Sequence, residues 1–180
     1  TEILINQEDS NFGLTEKEQI LYVEDALRTM GITKNFARIV LVTAHTSLSD
    51  NNPYESALNC GACGGNSGEP NSRIFAKIAN KVSVRKQLKR NDVFIPEDTH
   101  FVSAVHNTTT DEFQFLDMDD VPHTHLKELK AIKLDLEKAA VQNSIERCKK
   151  LPGSDKNLQP KEVKKEVLRR SGDWSETRPE

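Results

Sequence analysis

Aromatic side chains are scarce in this sequence, at 6% with a single Trp, and hydrophobic residues reach only 36%. A chain of 180 residues with that supply builds a modest core, so one domain, or part of one, is expected. Long apolar runs are missing too. The longest uncharged one, residues 39–42, is far too short to span a bilayer, and the first residues lack the basic-then-apolar order of a secretion signal. No basic excess exists, since 25 Lys and Arg stand against 28 Asp and Glu for a net charge of -3, and the basic residues fall on helical surfaces rather than beside aromatic platforms. Nucleic acid is therefore not an expected partner. Cysteine is sparse: three residues, an odd number in a chain too large to need stapling, exclude a secreted disulfide framework and fit a reducing, cytoplasmic setting. The sequence opens on "TEILINQEDS" without an initiator Met and closes on "DWSETRPE", with a Trp and an Arg that no element claims. It reads as an excised, soluble piece of something longer.

What is present is an alternation of helix and strand. Thr15 and Glu18 form a capping box, Ile20, Val23, Leu27 and Met30 recur at helical spacing, and Gly31 is placed to stop the helix. Residues 38–44 are β-branched and apolar almost throughout, which suits a strand covered on both faces of a parallel sheet, and "THFVSAVH" at 99–106 reads alike. Between them Pro70 suits a first helical turn and Ile74, Phe75, Ile78, Ala79 and Val82 supply an apolar stripe, completing a βαβ unit. Residues 112–116 offer a short edge strand. A long helix begins near Pro122, carries Leu129, Ile132, Leu136 and Ala140 on one face, and stops before Pro152 and Gly153. The expected organisation is an α/β domain over 1–151, then a linker and a basic helix at about 160–170 within 152–180, leading into a truncated segment.

The chemistry concentrates after the first strand. Ligands of open α/β sheets sit beyond the carboxyl ends of the strands, and His45 stands at such an end. After fourteen intervening residues comes "CGACGG", where glycines let the chain turn sharply around Cys60 and Cys63. Ser67 and Pro70 then open a helix whose N-terminal amides favour an anion or a thiolate. Four readings stay open: a thioredoxin-like redox pair, a closed structural zinc site made by His45, Cys60, Cys63 and another His, an open zinc site that uses one cysteine, and a small thiol packed in a tight turn. Cys63 is expected to pack against Gly64 and Gly65. His106 ends the second strand, where a hydrogen-bonded structural role competes with a place in the site, and Thr108, Thr109, Thr110 and Asp111 either line a substrate passage and orient ligands or simply form a capped turn. His123 and His125 are expected to be exposed, and His100 and Cys148 to pack or face solvent.

"IVLVTAH" followed by "CGA" resembles the β-class carbonic anhydrases, in which a strand ends in a zinc His and a zinc Cys follows, although those enzymes place two residues between the pair. The fourteen-residue insertion with "NNP", "SALNCGACGGNSGEPN", "HNTTTDE" and the closing "DWSETRPE" is similar to the DabA subunits of energy-coupled inorganic carbon transporters. The resemblance implies a parallel, carbonic-anhydrase-like sheet core with additional C-terminal helices. It implies that His45 and Cys60 are two of four zinc ligands, the others being a Cys and an Asp of a Cys-x-Asp-x-Arg segment that this sequence does not contain. Cys63, His106, Thr108 and Asp111 would then support the site or its passage, and the piece alone would not hydrate carbon dioxide. A membrane-embedded, proton-conducting antiporter-like subunit of the DabB type, bicarbonate or carbon dioxide as substrate, and a peripheral place on the cytoplasmic face of the membrane are also implied. A structural zinc-binding interaction domain and a Cys-x-x-Cys redox protein are the alternatives.

Overall fold

A computed structural model describes residues 13–48, 58–155 and 157–169. The opening "TEILINQEDS", the "NNP" segment and the closing "DWSETRPE" lie outside the described residues. The helices are α1 (Glu16–Thr29), α2 (Glu69–Ala79), α3 (Val82–Arg90), α4 (Leu126–Lys150) and α5 (Pro160–Arg169), and the strands are β1 (Ile39–Thr46), β2 (His100–Asn107) and β3 (Glu112–Phe115). Among the described residues no helix is long and apolar enough to cross a membrane.

Local chemistry sets these bounds. Thr15 and Glu18 close the expected capping box on α1, and Gly31 follows the C-cap at φ +73°, a left-handed conformation that glycine enters without strain. The stripe expected to reach Val82 breaks earlier, because the chain leaves the helix at Asn80 and restarts at Val82, which is 67% exposed. Asn80 has another task. Its Oδ1 accepts from the Phe101 N–H at 3.0 Å and its Nδ2 donates to the Phe101 C=O at 2.8 Å, so one carboxamide occupies the ladder position beside β2.

The strands run in the order β1-β2-β3. His100 N–H donates to the Arg38 C=O and Thr108 N–H to the Thr46 C=O, the same offset of 62 residues at both ends, which makes β1 and β2 parallel. β3 returns from β2 through a tight turn, and a turn that short can join only antiparallel strands. The sheet is therefore mixed rather than parallel. β1 also departs from expectation: it is an outer strand of the described sheet, half-buried along its length with Thr43 exposed, while the central β2 carries the buried run.

The chain divides into two units. The first takes the described residues of 13–42, 70–104 and 115–126, and its core joins Val23, Leu27, Phe75, Ile78, Leu88 and Phe101. Phe101 meets Phe36 and Phe75 edge-on at 6.0 and 6.2 Å. His125, expected to be exposed, is 4% exposed here, its Nε2 2.6 Å from the Asp98 C=O. A buried imidazole needs such a partner, and only the fold supplies it.

The second unit takes the described residues of 43–69, 105–114 and 127–169. Leu129, Ile132, Leu136 and Ala140 do lie on the inward face of α4, which continues through Ser144, Arg147 and Cys148. Cys148, Leu151, Val163 and Val167 form a small core with Leu58, Ile145 and Leu158 packed on it, so α5 is docked on the end of α4.

The Asn80 clamp gives a direct test. Asn80→Ala leaves the N–H and C=O of Phe101 without their partner, and it should lower the unfolding free energy by about 1–3 kcal/mol. Urea denaturation measures it, and an unchanged midpoint would mean that water replaces the carboxamide at no cost.

Candidate functional site

His45 and Cys60 both belong to the second unit, and the fold pins the chain beside each of them. Asn59 Oδ1 accepts from the Ser47 N–H at 2.8 Å and from the Thr46 hydroxyl at 3.0 Å. The residue before Cys60 is thus fastened to the residues after His45. Leu58 adds an apolar anchor on the α4–α5 core. On its other side the Cys60 turn leads to Gly68, whose N–H donates to the His45 C=O at 2.9 Å. A Cβ on Gly68 would lie 2.9 Å from the Ala44 Cβ, so only glycine lets this segment approach β1 so closely.

The turn itself is a closed loop. Gly61–Cys63 form one 3-10 turn, Gly64 and Gly65 take φ +66° and +79°, and Cys60 and Asn66 make an antiparallel bridge. The Cys63 Sγ faces the Cys60 Sγ at 2.8 Å, and both residues are half-buried.

His106 stands opposite His45 in the parallel ladder, so the two imidazoles project from the same face of adjacent strands, about 4.8 Å apart at the backbone. The His106 ring stacks on Phe113 at 4.7 Å, and its Nε2 lies 3.2 Å from Asp111 Oδ1. Asp111 is the centre of the polar network. Its Oδ2 accepts from Arg147 at 2.5 Å, Asn143 at 2.9 Å and Ser144 at 3.3 Å. Burial pushes its carboxyl pKa upward, but the hydrogen bond to His106, the Arg147 charge, the Asn143 amide and the Arg147 hydrogen bond outweigh that and hold it below the ordinary value. In the same turn Thr109 and Thr110 are 1% and 5% exposed, the Thr109 hydroxyl meets that of Ser47 at 2.9 Å, and the Thr108 N–H and hydroxyl both address the Thr46 C=O.

Imidazole and thiolate are donors that zinc takes, so the residue types at this place suit that metal. Their number does not suffice, because among the described residues no three His, Cys, Asp or Glu side chains gather closely enough to hold an ion. A metal here requires further donors. Arg147, Asn143 and Asn59 were not singled out in the sequence, yet one signal existed for Arg147, a charged residue on the inward stripe of α4.

Two variants check this geometry. Asp111→Asn keeps the left-handed backbone that Asn tolerates but breaks the buried ion pair, and it should cost about 3–5 kcal/mol in denaturant unfolding. Since the folded carboxyl titrates below its ordinary 3.8, its contribution is complete at neutral pH and is lost as pH falls through the lower folded value; the acid limb of stability against pH should therefore flatten in Asp111→Asn. Gly68→Ala should destabilise by about 1–3 kcal/mol through the Ala44 overlap. Its crystal structure should show the Cys60 turn displaced from β1, and an undisturbed turn would refute the close-approach account.

The family of probable inorganic carbon transporter subunit DabA matches residues 1–180. A relative from Halothiobacillus neapolitanus, named probable inorganic carbon transporter subunit DabA1, is 43% identical over 172 residues, which is 95% of this chain and 16% of the relative. Relatives with the DabA name from a Hydrogenobaculum species and from Legionella pneumophila strain Lens are 47% and 44% identical, covering 95% and 96% of this chain and 17% and 22% of their own length. The chain thus spans roughly a fifth of these proteins. No solved structure matches it. With a family match along its whole length, this chain belongs to the DabA family.

Proposed function

We propose that this chain is the part of a zinc-binding, carbonic-anhydrase-like subunit of an inorganic carbon transporter that supplies His45 and Cys60 to the metal. The observation that carries the reading is the Asn59 clamp, which fastens the backbone beside Cys60 to the backbone beside His45 at the carboxyl end of β1. The two other donors come from a Cys and an Asp outside this sequence. Such a donor set would hold zinc, which when bound would supply Lewis acidity toward a water molecule near neutral pH.

The chain's own residues have definable parts. His45 offers an imidazole from a strand end and Cys60 a sulfur from a rigid turn, and Gly68 holds that turn against β1. His106, fixed by Asp111 and Phe113, supplies a second imidazole beside His45. The substrate is carbon dioxide or bicarbonate, the partner a membrane-embedded antiporter-like subunit of the DabB type, and the location the cytoplasmic face of the membrane. The relatives' names, which call them transporter subunits, support the transport part of this reading.

Zinc content of the full-length protein tests the ligand assignment. His45→Ala and Cys60→Ala should each remove most of the bound zinc, measured by plasma mass spectrometry on folded protein, while Cys63→Ala should retain it. Equal loss from Cys60→Ala and Cys63→Ala would favour a closed structural site instead.

A further inference from the structure

The Cys60 turn is built for a second chemistry. Its sulfurs, 2.8 Å apart, are closer than two sulfurs rest in ordinary van der Waals contact. Nothing has to move far to join them. The Cys60 C=O accepts from the N–H groups of Cys63 and Gly65, both at 3.0 Å, and the Cys63 C=O accepts from the Asn66 N–H at 3.3 Å and its side-chain amide at 3.0 Å. Cys60 N–H closes the loop on the Asn66 C=O at 3.1 Å. The backbone that a disulfide would order is ordered already, so closure costs little further conformational entropy. The residues between the cysteines, Gly61 and Ala62, are exposed, which gives a small oxidant access.

We propose that Cys60 and Cys63 are a reversible dithiol–disulfide couple. The thiolate of one cysteine attacks a sulfur of a small-molecule disulfide of the glutathione type, whose S–S bond breaks and releases one thiolate. The other cysteine gives its proton to water and attacks the protein sulfur of the mixed disulfide, which expels the second small thiolate. Two protein thiols are oxidised to one disulfide, and one small disulfide is reduced to two thiols. Cys148, 1% exposed in the α4–α5 core, stays outside the exchange. A sulfur held in a disulfide is no longer a thiolate donor, so, resting on the ligand assignment proposed above, oxidation withdraws Cys60 from the metal.

The full-length protein, equilibrated in glutathione mixtures of rising oxidised fraction, acid-quenched, alkylated and digested with trypsin, reports directly. The peptide 39–73 contains Cys60 and Cys63 but not Cys148. Its two alkyl groups should disappear together, leaving a peptide lighter by two hydrogens that a reductant restores, while Cys63→Ser should trap glutathione on Cys60. A wild-type peptide that keeps both alkyl groups, or accumulates only glutathione adducts, at every mixture would overturn the couple. Zinc measured on the same samples separates the two proposals. Zinc lost on Cys60→Ala with no disulfide at any mixture overturns the couple and leaves the ligand assignment standing; a disulfide that forms while zinc is indifferent to Cys60 does the reverse.

Discussion

A carboxylate taken out of water must be surrounded by donors, and Asp111 collects them from β2 and α4 together. Arg147 neutralises its charge, Asn143 and Ser144 fill the remaining lone pairs, and His106 meets the other oxygen. The consequences spread outward from that point. The turn after β2 is fixed on α4, the hydroxyls of Thr108 and Thr109 are aimed at Thr46 and Ser47, and the chain leaving His45 is held between that turn and Asn59. Removing the charge would break the Arg147 ion pair while its bond to the Thr108 C=O stays.

The second constraint is steric. Gly68 lies so close to Ala44 that no larger residue fits, and through it the Cys60 loop is set against β1. Asn59 on one side of the loop and Gly68 on the other fix its approach, while the bonds among Cys60, Cys63, Gly65 and Asn66 fix its internal shape. A rigid loop of this kind suits both chemistries considered for it. Metal ligation needs a thiolate held in place, and disulfide formation needs two sulfurs held together.

Features that depend on near neighbours were legible in the sequence. The Thr15 capping box, the inward face of α4 and the Gly31 stop follow from residues three or four apart, and His45 and Cys60 stand out by strand end and glycine context. Features that depend on distant partners were not. Asp111 read equally as a turn cap or as a support for the site because Arg147 lies 36 residues on, and His125 looked exposed because its acceptor at Asp98 lies 27 residues back. The apolar run at 38–44 suggested a covered parallel strand, but composition cannot say which strand lies outermost or that β3 returns antiparallel. The clamp by Asn59 had no local signal at all, since an Asn before a Cys is common in any turn.

Zinc K-edge absorption on the full-length protein tests the central claim, that Cys60 and His45 contribute to one zinc, most directly. The account predicts two sulfurs at about 2.3 Å together with imidazole scattering. Cys60→Asp, which keeps an anionic donor in place, should leave one sulfur and one more oxygen, and Cys63→Ala should leave the spectrum unchanged. A sulfur count that ignores Cys60→Asp, or that falls with Cys63→Ala, would contradict it.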